Sequence, residues 1–508
     1  MQEGSFVSVL PPLVAIFLAI ISKRVLLSLF AGIFLGTVLV QEGNSYSFFQ
    51  AFDDFIVPTL SNQDNVNVLL FTMFLGGVVS IIVNSGFAQR LINSITAKKQ
   101  TRESIQVKTW LAGMVVFFDD YANALLVGTT MRGIVDKYKI SREKLAYIVD
   151  STSAPIASIA LISSWIGFEI GLIQDSVNDL GIDANGYSLF IDSLPYRFYP
   201  ILALIFVFFV AKTGLDYGPM LEAEKKSLKR SKNSSIDSLN EEKSEIWPAL
   251  LPILGVVTTT LWGLWETGKS PDKNESIATI ISQGDPFVSL LWASVVGSFI
   301  AILLALFQSK FKIEEVMDFW IRGLKSMFYA CCILVLAWSL KDVCDQLGTA
   351  SYLISEIDSS ISLGALPTII FLLAAAVSFS TGTSFGTMGI LMPIVIPLSV
   401  SLISSSGNFS TENPIFLSSI SAVLAGSVWG DHCSPISDTT ILSSTASGSN
   451  HIDHVKTQMP YAVFVAGISI FFGYFLIWAG WSPWISLGLA ISAMWIFLKR
   501  FGKTPKLS

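Results

Sequence analysis

The chain has 508 residues, of which 52% are hydrophobic and only 14% charged, with a mean hydropathy of +0.61. Soluble domains carry about 25% charged residues, so there is too little polar side-chain surface here to cover a large soluble globule, and lipid must solvate much of the chain. The net charge of -6 decides little, because the placement of Lys and Arg matters more than their sum in a membrane protein.

Apolar blocks recur from Phe6 to Leu498 without a soluble-looking half, which reads as one membrane domain. The first block, 6–22, has no basic residue before it and no small-x-small cleavage site, so it reads as a retained helix rather than a signal peptide. Further spans of roughly 20 residues are expected near 25–41, 66–84, 145–172, 196–215, 246–266, 286–308, 327–342, 414–448, 459–480 and 483–498. Basic residues cluster at Lys23–Arg24, Arg90–Arg102, Lys225–Lys243, Lys310–Lys312, Lys456 and Lys499–Lys506. The segments between, 42–65 and 173–195, carry Glu42, Asp53, Asp54 and Asp64, then Asp175, Asp179, Asp183 and Asp192. The positive-inside rule makes the basic set, and with it the C-terminus, cytoplasmic, and makes this a multi-pass protein of the cell (inner) membrane.

Two blocks do not fit a single crossing. Block 106–131 has basic flanks on both sides, including Arg102 before it and Arg132, Lys137, Lys139, Arg142 and Lys144 after it. It reads as a re-entrant hairpin with arms of about 12 residues, reaching roughly 18 Å to the bilayer midplane, with its tip at Phe118–Asn123. Block 365–400 has acidic flanks, Asp342 to Asp358 and Glu412, and reads as the mirror-image hairpin with its tip at Ser380–Gly386. An inverted repeat follows, 1–215 and 246–480, joined by a charged, solvated cytoplasmic linker at 216–245 and followed by an extra terminal helix and basic tail at 481–508. The G-x-A-x-x-L-I matches at 86–92 and 348–354 support the duplication. The expected fold is therefore an all-α polytopic membrane protein with two re-entrant hairpins and two broken transmembrane helices, near 145–172 and 414–448.

Pro155 and Pro435 supply those breaks by removing a backbone donor within a span. Irregular backbone at membrane depth occurs where it faces protein or a wet cavity, and paired breaks mark transporter binding sites. Oxygen-bearing side chains crowd the breaks and hairpin tips: Asn123, Ser151, Thr152, Ser153, Thr381, Thr383, Ser384, Ser434, Ser437 and Thr439. Hard cations prefer such ligands, which suits Na+ better than a soft metal. Asp119, Asp120, Asp150, Asp431 and Asp438 complete the expected binding set; ionised carboxylates at that depth are paired, hydrated or functional. Proton coupling falls to Asp120, Asp431 and His432, with a cation and a proton competing for one location. Glu169 reads as interfacial, near the outer end of its span; Gly32-x-x-x-Gly36 reads as close helix packing; and the four cysteines lack metal-ligand spacing.

The run Gly430-Asp431-His432-Cys433-Ser434-Pro435-Ile436-Ser437-Asp438-Thr439-Thr440 resembles the late signature of the NhaC-type sodium/proton antiporter family, of the ion-transporter superfamily. The runs Phe118-Asp119-Asp120-Tyr121-Ala122-Asn123 and Ser151-Thr152-Ser153-Ala154-Pro155 also look like family features. The resemblance implies two repeats, two hairpins, a homodimer, no cofactor, and Na+ and H+ as transported substrates. Similar sequences exchange organic acids or other solutes, so a Na+- or H+-coupled exchanger of a small organic acid or amino acid is the alternative. Such an anion site favours a fixed basic group, and these are scarce in the spans, Lys341 being the exception near an outer end. An intramembrane aspartyl protease would need G-x-G-D where this chain has Val428-Trp429-Gly430-Asp431, and no H-E-x-x-H motif is present. A channel fits the duplicated breaks less well than alternating access does, and nucleic-acid binding is not expected.

Overall fold

The computed structural model describes residues 6–22, 24–41, 46–90, 101–117, 119–161, 163, 165–229, 247–269, 284–309, 311–349, 352, 362–435 and 437–506, apart from the side chains at 19, 20, 122, 286, 330 and 438. The described residues are helical in every regular element, and extended backbone pairs only at an isolated antiparallel bridge between Asp216 and Lys503. In chain order the main helices are α1 (Leu10–Ser22), α2 (Val25–Val40), α3 (Gln63–Asn84), α4 (Arg102–Val115), α5 (Asp120–Lys137), α6 (Arg142–Ser151), α7 (Ala154–Ala157), α8 (Ile166–Asp179), α9 (Gly186–Ser193) and α10 (Phe198–Thr213). They continue as α11 (Gly218–Leu228), α12 (Trp247–Gly268), α13 (Pro286–Phe307), α14 (Ile313–Gln346), α15 (Leu366–Thr381), α16 (Ser384–Ser406), α17 (Pro414–Cys433), α18 (Asp438–Ser447), α19 (His451–Ile468) and α20 (Pro483–Phe501). Eight described helical segments are long and apolar enough to cross a membrane, or nine if Gly186–Tyr196 and α10, bent by 50° at Arg197, form one span.

The helices fall where hydropathy places the spans, and their ends follow local chemistry. Thr101 caps α4 by accepting from the Ser104 N–H at 3.2 Å, Ser141 caps α6 through the Lys144 N–H at 3.1 Å, and Thr383 and Ser437 cap α16 and α18. Gly382, at φ +70°, turns the chain between α15 and α16 in a left-handed conformation that a side chain would strain. Gly32 and Gly36 lie against Pro11, Ala15 and Leu340, so this pair serves close packing, as its spacing predicts.

Three features differ from expectation. The 34-residue α14 extends well beyond the span predicted at 327–342, and α16, at 23 residues, runs about 35 Å, far longer than a half-membrane arm. Pro393 and Pro397 sit inside α16 without ending it. The opening of the segment read as a solvated linker is the helix α11, with Met220, Leu221 and Glu224 buried. The remainder of that linker, 230–245, lies outside the described residues, as do Leu91, Ile92, Ala350, Leu353 and Ile354 of the repeat motif.

Two apolar cores frame the site. One joins α8, α10 and α14–α17 through Phe168, Phe206, Trp338, Phe371, Met392 and Val423. The other joins α3–α6 through Val79, Ala112, Val127 and Val149. Side-chain hydrogen bonds join the break between α4 and α5 to that between α6 and α7, and the end of α15 to the end of α17.

Candidate functional site

Each break exposes helix-end carbonyls, and in this interior other side chains must satisfy them. Asn123, wholly buried on α5, does so at two breaks together. Its amide donates to Gly113 O at 2.8 Å and Val116 O at 3.2 Å, at the end of α4, and to Thr152 O at 2.6 Å, just past α6. Thus one side chain ties the first helix pair to the first broken helix. In the second half Ser434 donates to Phe379 O, near the end of α15, at 2.7 Å, while Ser378 and Ser384 tie the second helix pair to the interior of α17 by donating to Ser427 O, at 2.6 and 3.2 Å. Gly430 allows this approach, since a Cβ there would press on Ser378 and on the Phe379 backbone.

Asp431 ends α17 and is held by the loop that follows it. Ser437 donates to Oδ1 at 2.7 Å and Thr439 to Oδ2 at 3.1 Å, while Thr440 donates to the Asp431 carbonyl at 3.2 Å. Asp120 opens α5. The Trp165 indole N–H is buried and makes no hydrogen bond among the described residues. Trp165 also packs against Phe385 of α16, ring centroids 4.9 Å apart. Asp119, Asp120 and Asp431 are buried, and no ion pair to a Lys, Arg or His reaches Asp120 or Asp431 among the described residues. Asn123 Oδ1, three residues along the helix from Asp120 and so on the same face, is buried without a donor.

Asp150 lies in an adjoining polar cluster. It accepts from His454 Nε2 at 3.1 Å, from Gln458 at 2.6 Å and from Ser443 at 3.3 Å. Ser151 meets His432 Nε2 at 3.2 Å, and the Tyr199 hydroxyl meets His432 Nδ1 at 2.7 Å. Thr152, Ser153 and Thr381 donate back to their own helices, to Ile148 O, Val149 O and Val377 O. Thr383 stands at the α16 N-cap, and the Asp438 side chain is outside the described residues.

Sequence reasoning passed over Tyr199, Ser443, His454 and Gln458. The signal available was that the chain has three histidines in all, two of them, His451 and His454, spaced i,i+3 at the start of a span. It also misplaced Glu169, which is not interfacial but wholly buried and paired with Arg197 at 2.8 Å. Lys341 is buried and pairs with Asp175 at 2.9 Å and with Asp179.

A second charged network closes the Lys/Arg-rich end. Lys144, fully buried, pairs with Asp216, which also accepts from Tyr461 at 2.8 Å. Glu224 accepts from Arg102 at 2.5 Å and from the Ser141 N–H at 2.7 Å. Burial lifts the Glu224 carboxyl above its ordinary value; Asp216 adds to the effect, and Lys144 and Arg102 oppose it.

The family model described as the Na+/H+ antiporter family matches residues 156–481, more than half of the chain. An uncharacterized protein of Haemophilus influenzae is 35% identical over 476 residues, covering 91% of this chain and 89% of that one. The arginine/ornithine antiporter ArcD of Halobacterium salinarum is 25% identical over 234 residues, 45% of this chain and 41% of ArcD. Among solved structures, the YdaH transporter of Alcanivorax borkumensis aligns with a TM-score of 0.59 at 15% identity, covering 87% of this chain and 90% of that one; the likeness is one of fold. The protein is a multi-pass membrane transporter rather than an enzyme, and the chain belongs to the Na+/H+ antiporter family.

Proposed function

We propose that the protein exchanges Na+ for H+ across the cell membrane, with its basic end and C-terminus cytoplasmic. The observation that carries this reading is that two carboxylates beside helix breaks, Asp120 and Asp431, are buried and have no cationic side chain at ion-pair distance among the described residues. Leaving such charges uncompensated costs several kcal/mol each, so a proton or a cation must accompany them. The neighbouring ligands suit either occupant. Ser437 and Thr439 hold Asp431 in place, and Asn123 Oδ1 offers a neutral oxygen without a donor. A hard monovalent cation matches this all-oxygen set. Its entry favours the ionised carboxylates and expels the proton; protonation reverses the preference. Such competition moves the two ions in opposite directions when the site faces each side of the membrane in turn.

The site reading predicts that Asp120→Asn and Asp431→Asn each abolish cation-driven proton movement in vesicles while the protein still inserts and purifies. Wild-type rates in both variants would refute it.

A second reading, exchange of a small organic solute, draws on the similarity to an arginine/ornithine antiporter and on Arg197, a wholly buried basic group of the kind an organic-anion site favours. The charge of Arg197 is already matched by Glu169, which leaves little net attraction for an anion and favours the cation reading.

A further inference from the structure

Gln458 is buried on α19, four residues from His454 and so on the same face of that helix. Its amide nitrogen donates to Asp150 Oδ2 at 2.6 Å and to the His432 carbonyl. The first acceptor stands in the last turn of α6 and the second in the last turn of α17, so one amide joins the ends of the two helices that lead into the breaks. Last-turn carbonyls have no partner within their own helix and take one from elsewhere. The neighbouring side chains bind parts that can turn: Ser151 and Tyr199 hold the His432 ring, at 3.2 and 2.7 Å, and His454 and Ser443 hold the Asp150 carboxylate, at 3.1 and 3.3 Å. Gln458, by contrast, grips the α17 backbone itself, at the residue beside Asp431. Both of its acceptors, a carboxylate and a carbonyl, lack a hydrogen to give, so the nitrogen end of the amide must face them and both N–H groups are used. Its oxygen end is then turned away, buried without a donor. An unmet buried acceptor costs stability, so the two helix ends, rather than the surroundings of the oxygen, dictate how the amide lies.

We infer that Gln458 is a positioning residue for the cation site: its amide ties the end of α6 to the end of α17 and, through the His432 carbonyl, fixes the backbone that carries Asp431. The inference rests on reading Asp431 as a cation ligand. Asp431 is the peptide neighbour of the tied carbonyl, and its carboxylate is held in turn by Ser437 and Thr439 beyond the break. A shift of the α17 end therefore carries a ligand away from the two hydroxyls that orient it. Without the tie the oxygens converge less well and sodium binds less tightly, while the steps that turn the site from one side of the membrane to the other stay as they were.

The test compares three variants with wild type. Gln458→Met keeps an unbranched side chain of similar length without a donor, and Gln458→Asn keeps the amide but falls one methylene short of holding both acceptors. Tyr461 lies on the same helix and bonds Asp216 at 2.8 Å, so Tyr461→Phe takes a hydrogen bond from α19 and leaves the tie in place. Hydrogen–deuterium exchange of the last two turns of α17, 426–433, and the sodium dependence of exchange in vesicles are measured for each. Gln458→Met should take up deuterium about tenfold faster there and raise the sodium KM about tenfold, with kcat within about twofold, the size expected for one charge-assisted hydrogen bond. Gln458→Asn should move both readings the same way by about threefold, and it carries the test if Gln458→Met does not fold. Tyr461→Phe should leave both within about twofold of wild type. Unchanged uptake in the Gln458 variants overturns the tie, and faster uptake with an unaltered KM overturns the positioning role. A KM raised equally by Tyr461→Phe overturns it too, since any loosening of α19 would then suffice. If wild type ignores sodium, or Asp431→Asn transports it normally, the cation-site reading fails and the positioning role falls with it, while deuterium uptake still reports separately on the tie.

Discussion

Replacing Asn123 with Ala tests whether one amide joins the first helix pair to the first broken helix. The side chain is wholly buried and has two N–H groups to donate. Its two shortest bonds, 2.6 Å to Thr152 O and 2.8 Å to Gly113 O, therefore account for most of its hydrogen bonding. Both acceptors are carbonyls at helix ends with no partner further along their own helix. A hydrogen bond within a membrane protein averages about 0.6 kcal/mol, and a typical one in water-soluble proteins up to about 1.5 kcal/mol. Two lost bonds thus cost about 1–3 kcal/mol. Asn123→Ala also removes Oδ1, a buried oxygen without a donor one helical turn from Asp120, so stabilisation by added sodium should shrink as well, because at a given concentration a more weakly bound ligand stabilises the folded state less. Equilibrium unfolding in mixed micelles, with sodium and with choline in its place, measures both effects. A variant that unfolds like wild type in choline would refute the tie, and an undiminished sodium increment would remove Asn123 from the ligand set.

Glu224→Gln addresses the Lys/Arg-rich end. Because burial raises the Glu224 carboxyl, its protonated form favours the docked state, so docking of α11 should be firmest at acid pH and weaken as pH rises from about the unfolded value through the folded one. Hydrogen–deuterium exchange of 218–228 should show that slope in wild type and lose it in Glu224→Gln; a slope unchanged by the substitution would refute the assignment. Single cysteines at Ser104 and Lys139, in a chain freed of its four native cysteines, should label from the same side of the membrane. Labelling from opposite sides would exclude a re-entrant arrangement of α4 and α5.

The spans were legible because apolar length is a long-range signal, carried by some twenty residues together. The breaks were legible only in part. Pro155 marks the first interruption but sits inside the short helix α7; the departure from helix after it falls in Ser158–Trp165, whose apolar composition looks continuous with a span. Asp120 and Asp431 stood out as carboxylates in apolar surroundings, and the structure buries both beside helix breaks. Arg197, Glu169 and Lys144 were missed for the opposite reason. Each lies at the edge of a hydropathy block, where a charge reads as interfacial, and only the tertiary fold supplies the partner that buries it: Glu169 for Arg197, Asp216 for Lys144. The same holds for His454 and Gln458, which reach Asp150 from a helix some 300 residues away in the chain.

The central claim, exchange of sodium for protons, is tested most directly with purified protein in vesicles that carry an imposed pH gradient and an internal pH dye. Sodium, lithium, potassium, organic acids and amino acids, arginine and ornithine among them, are added in turn. The account predicts that sodium collapses the gradient, that empty vesicles do not respond, and that organic solutes alone leave it intact. A gradient indifferent to every cation but collapsed by an organic solute would contradict it.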